Sequence, residues 1–233
     1  MQNRINDQPA FILHRRDYQD SSLILDLFSQ DYGRVSVLVK GAKKRRDVSS
    51  FQICNRLSVG WSGNSELKIL TQIDSHLFSV SDKYYPGIFY INELLLYLLP
   101  KHDEQIRLFQ HYQNLLVEFT QHNIQLEPLL RNFEIELLTD LGYMPDLTVA
   151  STTDQKIQLE QCYIFDEMSG LMPAPKNVLN SFTGSELTAI YERQFDLSEN
   201  LRAAKRLMRQ IIHFNLQGRT LQSRKFYQQM KKK

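Results

Sequence analysis

Alternating apolar and polar positions in the first third of the chain predict short β-strands separated by turns. The clearest case is residues 34–40, where a valine fills every second position and a glycine flanks each end. A run of serine, glycine and asparagine at residues 62–65 is a strong turn signal. Five short strands suit a small closed barrel, because closure leaves no unpaired edge. The predicted strands are residues 10–14, 22–28, 34–40, 56–61 and 67–73.

A five-stranded barrel of this size is compatible with two folds. The OB-fold commonly binds single-stranded nucleic acid on one face and in its flanking loops. An SH3-like barrel that makes protein contacts is the alternative, and the strand pattern alone does not separate the two. Bases stack on exposed aromatic side chains, although most aromatic residues in small barrels belong to the core. The aromatic residues near turns of this region are Tyr18, Tyr32, Phe51 and Trp61.

Beyond residue 84 the apolar residues recur at helical spacing. Pro128 fits the first turn of a helix, and Gly142 fits the position just after the end of the same helix. The predicted helices are residues 86–99, 103–121 and 127–141.

Residues 146–180 read as an irregular segment, apart from a small hairpin expected around residues 163–173. The segment contains one cysteine, Cys162, and no nearby histidine. A structural zinc site needs four such ligands, so none is predicted here.

The last third of the chain contains two signals for helix starts and one amphipathic helix. Thr183 and Glu186 have the spacing of a capping box, and Asp196 and Glu199 repeat it. In the helix that follows, residues 201, 204, 208 and 211 form an apolar stripe. Such a helix could hold an acidic and apolar peptide or a nucleic acid, or it could be a core helix with solvated charges. The adjoining cationic stripe consists of Arg202, Lys205, Arg206 and Arg209.

The charge of the chain is strongly segregated, although the formal net charge is only +2. Residues 1–47 have a balance of +3, residues 48–201 a balance of −11, and residues 202–233 a balance of +10 without any acidic residue. An acid-free basic tail indicates an anionic partner. Nucleic acid, an acidic protein segment and a membrane surface are all compatible with the charge alone.

The strand at residues 34–40 runs directly into four consecutive cations, residues 43–46. A rigid strand that ends in such a loop is suited to holding a phosphate backbone. The alternative is a solvated surface turn, or a basic processing or targeting run. Arg131 in the third helix likewise has two interpretations, a surface arginine or an anion contact.

Motifs of the common enzyme classes are absent from the sequence. It has no phosphate-binding glycine loop, no dinucleotide fingerprint and no Gly-x-Ser-x-Gly elbow, and its histidines lack metal-ligand spacing. An enzyme is therefore the less favoured class, and we expect no metal and no cofactor. No apolar run is long enough for a transmembrane helix and no secretory leader is visible. Two distant cysteines fit a reducing cytoplasm.

Several short stretches, taken in order and at their spacing, resemble the RecO family of bacterial recombination mediators and DNA-repair proteins. The resemblance extends over nearly the full chain. The matching stretches are residues 11–14, 22–28, 33–42, 90–95, 131–134, 141–143, 182–184, 201–206 and 223–224.

The resemblance implies an α+β protein without a catalytic site. Its expected parts are a five-stranded OB-fold barrel domain at residues 1–80 and an α-helical domain at residues 81–233. The helical domain is expected to include a small irregular, zinc-less segment near residues 146–180 and a basic C-terminal tail. Some family members carry a four-cysteine zinc module after the Leu-Gly-Tyr motif. Only Cys162 is present in that region here, and other members also lack the module.

The resemblance also implies binding of single- and double-stranded DNA and annealing of complementary strands. It implies cooperation with RecR in loading RecA onto DNA that is coated by single-stranded DNA-binding protein, in the cytoplasm at the nucleoid. The expected DNA contacts are Arg34, Lys40, Lys43, Lys44, Arg45, Arg46, Arg219, Arg224 and Lys225.

Single-stranded DNA-binding proteins of this kind end in an acidic tail with a terminal apolar residue, as the resemblance implies. The carboxylates of that tail are expected to meet cations while its apolar end enters a pocket in the helical core. The cations expected to bind the tail are Arg131, Arg202, Lys205, Arg206 and Arg209.

Two other functions stay open. An OB-fold RNA-binding protein would prefer RNA through 2′-hydroxyl contacts. A membrane-surface adaptor would need a basic amphipathic helix with a free apolar face, and the barrel pattern and the charges of the helical region argue against it.

Overall fold

A computed structural model describes residues 4–76, 79–121, 123–176 and 178–223. The chain forms two compact units. The barrel unit comprises the chain up to Ile124 together with the segment that begins at Leu221, and the helical unit comprises Gln125–Thr220.

The barrel unit is built around a closed five-stranded barrel with the strand order β1-β2-β3-β5-β4. All pairs are antiparallel except β3 and β5, which run parallel. The predicted five-stranded OB-type barrel is confirmed, and all five predicted strands exist. The strands are β1 (Arg4–Tyr18), β2 (Ser22–Ser29), β3 (Gly33–Val39), β4 (Arg56–Ser62) and β5 (Leu67–His76).

The first strand is three times longer than its apolar centre predicts. Its first half pairs with β4, from Arg4 to Phe11, and the part from Ala10 to Tyr18 pairs with β2. The polar residues at both ends of β1 therefore lie in the ladder even though they contribute little to the core. The register shifts twice along β1, and such bulges let one strand bend around a small barrel.

The barrel core contains the alternating side chains of the strands, such as Val35, Val37 and Val39 of β3. Phe51 and Trp61 are also buried in this core, so both are packing residues. Tyr18 and Tyr32 stay 38% exposed.

Two helices, α1 (Tyr85–Leu98) and α2 (Ile106–Glu118), complete the barrel unit. Phe11 and Phe28 lie outside the barrel core and contact the ring of Phe109, with centroid distances of 5.2 and 5.3 Å. Asn92 donates a hydrogen bond to the Leu13 carbonyl oxygen of β1 and accepts one from the Tyr112 hydroxyl, at 3.1 and 2.6 Å. Aromatic packing and this buried polar bridge therefore hold both helices against β1.

The connection between α1 and α2 lies directly over the start of β3. The amide of His102 donates a hydrogen bond to the Arg34 carbonyl oxygen at 3.2 Å. Gly33 has a φ of +57°, and a β-carbon at this position would lie 1.8 Å from the carbonyl oxygen of Asp103. Glycine is therefore required here by its backbone conformation and by the close approach of the connection.

The helical unit begins with α3 (Leu126–Asp140), which ends as its sequence predicts. Gly142 has a φ of +74°. Its amide donates to Thr139 at 3.0 Å, and the amide of Tyr143 donates to Leu138 at 2.7 Å. These two bonds form a Schellman motif, in which glycine occupies the left-handed position.

The segment at 146–180 is more regular than its sequence predicts. The expected hairpin is confirmed, since β8 (Cys162–Asp166) pairs with β9 (Gly170–Ala174). Two further short pairs were not anticipated, because strands of two residues give no periodic signal. They involve β6 (Val149–Ala150) with β7 (Gln155–Lys156), and β8 with β10 (Phe182–Thr183).

Helix α4 (Gly184–Tyr191) begins at the predicted capping box, with both reciprocal bonds between Thr183 and Glu186 in place. The second predicted box is wrong. Helix α5 is Ser198–Asn215, and its N-cap is Leu197, which makes no side-chain capping bond. Asp196 lies one residue too far from the helix to cap it.

Candidate nucleic-acid and anion-binding surfaces

The four consecutive cations lie in the basic loop, residues 40–47, which follows β3. Val39 pairs with Leu23 at the end of the barrel where β1 turns into β2. A 3₁₀ turn, Ala42–Lys44, directs the loop back, and the amide of Lys43 donates to the Ser21 carbonyl oxygen at 3.0 Å. The loop is thereby attached to the β1–β2 turn rather than extended into solvent.

Two of the four cations are engaged with neighbouring carboxylates. The ammonium of Lys43 lies 2.8 Å from Asp17. The Arg45 guanidinium donates two hydrogen bonds to Asp47, at 2.8 and 2.7 Å, and lies 5.6 Å from the Phe51 ring centroid. The hydrogen bond from Arg45 lowers the pKa of Asp47. Lys43 and Arg45 therefore shape the loop in addition to contributing charge.

The other two cations, Lys44 and Arg46, are exposed, as is Lys40 at the start of the loop. Within the described ranges none of the three makes an ion pair or a side-chain hydrogen bond. Their charges are thus available to an anion such as a phosphate group. Half of this alternation between engaged and available cations has a partner nearby in the sequence, since Asp47 is two residues from Arg45, but Asp17 is far from Lys43 along the chain.

Sequence reasoning missed two further arginines at the same barrel end. Arg15 of β1 donates to the Phe51 carbonyl oxygen at 3.1 Å, and its neighbour Arg16 is exposed. The signal was the basic run at the end of β1, which was overlooked because the strand was predicted to stop at residue 14. Tyr18, two residues further along β1, adds an exposed aromatic ring near these charges.

A polar ladder crosses the outer face of the first three strands. His14, Asp26 and Ser36 are register partners on β1, β2 and β3. The Ser36 hydroxyl donates to Asp26 at 2.6 Å, and Nδ1 of His14 lies 3.5 Å from the same carboxylate. Burial favours a higher pKa for Asp26, but the bonds from His14 and Ser36 and the charge of Arg16 together lower it. Asp26 is therefore an ionised group within the sheet.

Arg34 has a structural contact in the barrel unit. Its Nε donates a hydrogen bond to the Leu99 carbonyl oxygen at 3.1 Å, and its side chain is half-buried. This bond ties β3 to the end of α1. A role for Arg34 in DNA binding stays a prediction, and it would have to coexist with this contact.

The cationic stripe of α5 belongs to the helical unit, and two of its members are already engaged. Lys205 pairs with Glu127 at 2.5 Å. Arg206 donates to the Ser181 carbonyl oxygen at 3.1 Å and lies 4.7 Å from the Phe182 ring centroid.

Arg202 and Arg209 are the exposed members of this stripe. Arg202 makes a hydrogen bond to the Ser198 hydroxyl at 3.3 Å, and Arg209 makes none to any described residue. The apolar stripe beside them is buried, since Ala204, Met208 and Ile211 are inaccessible. The exposed members of the two stripes are therefore the arginines, and Ala204, Met208 and Ile211 pack in the core of the helical unit.

Arg131 is not a surface arginine, so that interpretation is wrong. The residue is 7% exposed, and its guanidinium pairs with the inaccessible carboxylate of Glu134, three residues along α3. Its Nε is buried and makes no hydrogen bond to any described residue. A contact between Arg131 and an external anion stays a prediction and would have to form at the edge of this internal pair.

Two family models match the chain in succession. The model described as Recombination protein O N terminal matches residues 1–77, and the one described as Recombination protein O C terminal matches residues 83–225. The chain belongs to the RecO family. The resemblance inferred from the sequence is thereby confirmed.

Curated relatives cover almost the whole chain. A protein named DNA repair protein RecO from Vibrio cholerae is 37% identical over 226 residues, which are 95% of this chain and 93% of the relative. Proteins of the same name from Methylococcus capsulatus and Aliivibrio fischeri are 38% and 36% identical, over 94% of this chain in both cases and 91% and 94% of the relatives. The chain is thus a member of a DNA-repair protein family.

The RecO family matches meet between residues 77 and 83, whereas the compact units divide after Ile124. The difference arises because α1 and α2 pack on the barrel even though their sequence falls within the C-terminal match. Arg219 is exposed near the end of the helical unit. Arg224 and Lys225 lie outside the described residues.

The described part of the chain contains neither a cluster of metal ligands nor a membrane-spanning helix. No three histidine, cysteine, aspartate or glutamate side chains there come together as a metal ion would need. No helix within those ranges has the length and apolarity to cross a bilayer.

Proposed function

We propose that this RecO-family chain is a recombination mediator without catalytic chemistry of its own. It binds single- and double-stranded DNA, anneals complementary strands and, with RecR, helps to load RecA onto DNA coated by single-stranded DNA-binding protein. It acts in the cytoplasm at the nucleoid. Membership of the RecO family supports the repair role. The structural observation that carries the DNA contact is the outward pair Lys44 and Arg46 on the basic loop.

Strand annealing requires two polyanions to approach each other. Lysines and arginines that neutralise phosphates release condensed counterions, which favours binding and lowers the repulsion between strands. Lys43 and Arg45 are already held by carboxylates, so binding of a phosphate backbone would restrict mainly the side chains of Lys44 and Arg46. Such contacts read no base edges, so this site suits a protein that acts on any sequence.

The surroundings of the loop support a single-stranded ligand as well as a duplex. Arg16 and Lys40 add exposed charge, and the ring of Tyr18 offers a stacking surface at the same barrel end. Stacking on an aromatic ring contributes about 1–3 kcal/mol per base and tolerates any base.

The acidic tail of single-stranded DNA-binding protein is proposed to bind the cationic face of α5. Arg202 and Arg209 are the exposed guanidiniums of this face and suit carboxylates. Lys205 and Arg206 would first have to exchange their present partners, and Arg131 would act from a buried position.

The DNA contact is tested by fluorescence-anisotropy titration of labelled single-stranded DNA across a salt series. The variant Lys44→Ala/Arg46→Ala should bind more weakly and reduce the salt slope by about 1.4, at about 0.7 per phosphate contact on a single strand. The matched control, Lys156→Ala/Lys176→Ala, removes two exposed cations from the helical unit. An equal loss in both double variants would reject the loop as a local DNA site.

The same titration separates the proposed function from RNA binding. We expect no preference when RNA of the same sequence competes, because phosphate contacts and stacking do not require the 2′-hydroxyl group. A strong preference for RNA would instead support the alternative of an RNA-binding OB-fold protein. Annealing is followed with two complementary labelled strands, and the Lys44→Ala/Arg46→Ala variant should slow it relative to the control variant.

A further inference from the structure

A carboxylate on α1 holds the segment in which the chain returns to the barrel unit. Oε1 of Glu93 accepts a hydrogen bond from the Gln222 amide at 2.8 Å. Oε2 accepts bonds from the Ser223 amide and hydroxyl at 2.9 and 2.6 Å. Leu221, just before them, is buried. Both oxygens of one carboxylate are thus used to anchor two consecutive residues.

The anchor is itself fixed to the barrel. Asn92, the neighbour of Glu93, is bonded to the Leu13 carbonyl oxygen of β1 at 3.1 Å. Four residues further along β1, Asp17 pairs with Lys43 of the basic loop. Four residues of a strand span about 13 Å. The point where the chain is anchored and the basic loop are therefore connected through one strand.

The ten residues after Ser223 contain five cations and no acid: Arg224, Lys225 and Lys231–Lys233. Ten extended residues reach at most about 33–36 Å. A tail that is held at Ser223 therefore has a maximum reach well above the length of β1 between Leu13 and Asp17, which is about 13 Å.

We propose that Glu93 anchors the start of the basic tail to the barrel unit, so that tail and basic loop act on one DNA molecule as linked contacts. The inference rests on the DNA binding proposed above and adds the role of Glu93. Two linked contacts bind more tightly than either alone because the second forms at a high local concentration. Without the bonds to Glu93, the tail is attached only through the buried Leu221 and the chain before it, and its local concentration at the loop falls.

The test is a double-mutant cycle on the full chain, read by anisotropy with single-stranded DNA. The anchor variant is Glu93→Gln, and its matched control is Glu118→Gln on α2. Both remove one negative charge from the barrel unit, but Glu118 is exposed and its side chain makes no hydrogen bond or ion pair with any described residue. Each is combined with alanine at all five cations of the tail.

In the Glu118→Gln background, alanine at the five tail cations should lower DNA affinity about tenfold at low salt, and in the Glu93→Gln background at most about threefold. A tail that contributes equally in both backgrounds would overturn the coupling while leaving the proposed DNA binding intact. Failure of the unaltered protein to bind DNA at low salt would overturn the proposed function and this inference together.

The anchor is also measured without DNA, by hydrogen exchange of the amides of Gln222 and Ser223. Exchange at both should be faster in Glu93→Gln than in Glu118→Gln, and equal rates would overturn the anchor. The variant Ser223→Pro removes both donors of Ser223 and leaves α1 unchanged, so it takes the place of Glu93→Gln if that variant does not fold.

Discussion

Gly33 lies so close to Asp103 that a β-carbon on the glycine would be 1.8 Å from the aspartate carbonyl oxygen. The obstacle is backbone, which cannot rotate away as a flexible side chain does. Gly33 also has a positive φ, which costs other residues about 1 kcal/mol. The start of β3 and the α1–α2 connection can therefore approach this closely only because residue 33 has no side chain.

We expect Gly33→Ala to lower the free energy of unfolding by about 3 kcal/mol or more, since backbone strain and the clash add. Urea unfolding followed by circular dichroism measures the loss. Gly41→Ala is the matched control, because Gly41 has a similar φ of +63° and open space around its Cα. It should cost only about 1 kcal/mol. Equal losses would mean that the contact with Asp103 is unimportant.

Release of Lys43 from its carboxylate should strengthen DNA binding. Asp17→Asn removes the 2.8 Å ion pair and one negative charge beside the basic loop. We expect affinity for single-stranded DNA to rise about threefold at low salt and the salt slope to steepen by up to about 0.7. Asp31→Asn, in the exposed turn between β2 and β3, makes the same change of charge at the other end of β2. A similar rise in both variants would indicate a general effect of net charge.

We expect the buried pair of Arg131 and Glu134 in α3 to matter for the stability of the fold rather than, in the first place, for binding an anion. Arg131→Met takes the arginine partner away from Glu134, whose carboxylate is inaccessible to solvent. We expect a loss of about 3–5 kcal/mol in the free energy of unfolding. Arg131→Met/Glu134→Met should recover most of it, as measured by urea unfolding. An Arg131→Met variant with unchanged stability that binds an acidic, apolar-ended peptide poorly would instead support a direct anion contact.

Asp26 should make the barrel unit sensitive to acid. Its pKa is below the ordinary value of 3.8 in the folded chain. The ionised carboxylate therefore stabilises the fold above the unfolded pKa, and this stability is lost as the pH falls through the folded pKa. Asp26→Asn should show a smaller drop in the free energy of unfolding between about pH 5 and pH 2.5. Asp31→Asn should keep the full drop, and an Asp26→Asn protein with undiminished acid sensitivity would contradict the argument.

Local pattern was sufficient to predict the barrel strands and most helix ends. Valines at every second position of β3 and the glycine after α3 act through local geometry, so their effects are readable from neighbours in the sequence. The ends of β1 were missed because Arg15 and Arg16 are placed by pairing with β2, and polar edge positions carry no alternation. The positions of α1 and α2 also depend on partners that are distant in the sequence, such as Phe11, so local pattern does not predict them.

The site residues were harder to predict than the fold. Lys43 is engaged by Asp17, a residue that the barrel brings near although it is distant in the sequence. Arg131 was difficult because arginine is seldom buried, although a glutamate three residues later was a visible clue to an internal pair. Apolar positions of α5 were assigned correctly, but periodicity alone does not say whether an apolar stripe faces a ligand or the core.

The bond between Glu93 and Gln222 joins residues 129 positions apart, so the barrel unit is discontinuous in the chain. During synthesis at about 5–20 residues per second, the ribosome delivers Gln222 roughly 6–26 s after Glu93. The barrel and its two helices can fold in that interval, but the anchor has no partner until the second unit has been made. The barrel unit is therefore the first to start folding and the last to be completed, because the bonds from Gln222 and Ser223 to Glu93 can form only after the helical unit has been synthesised.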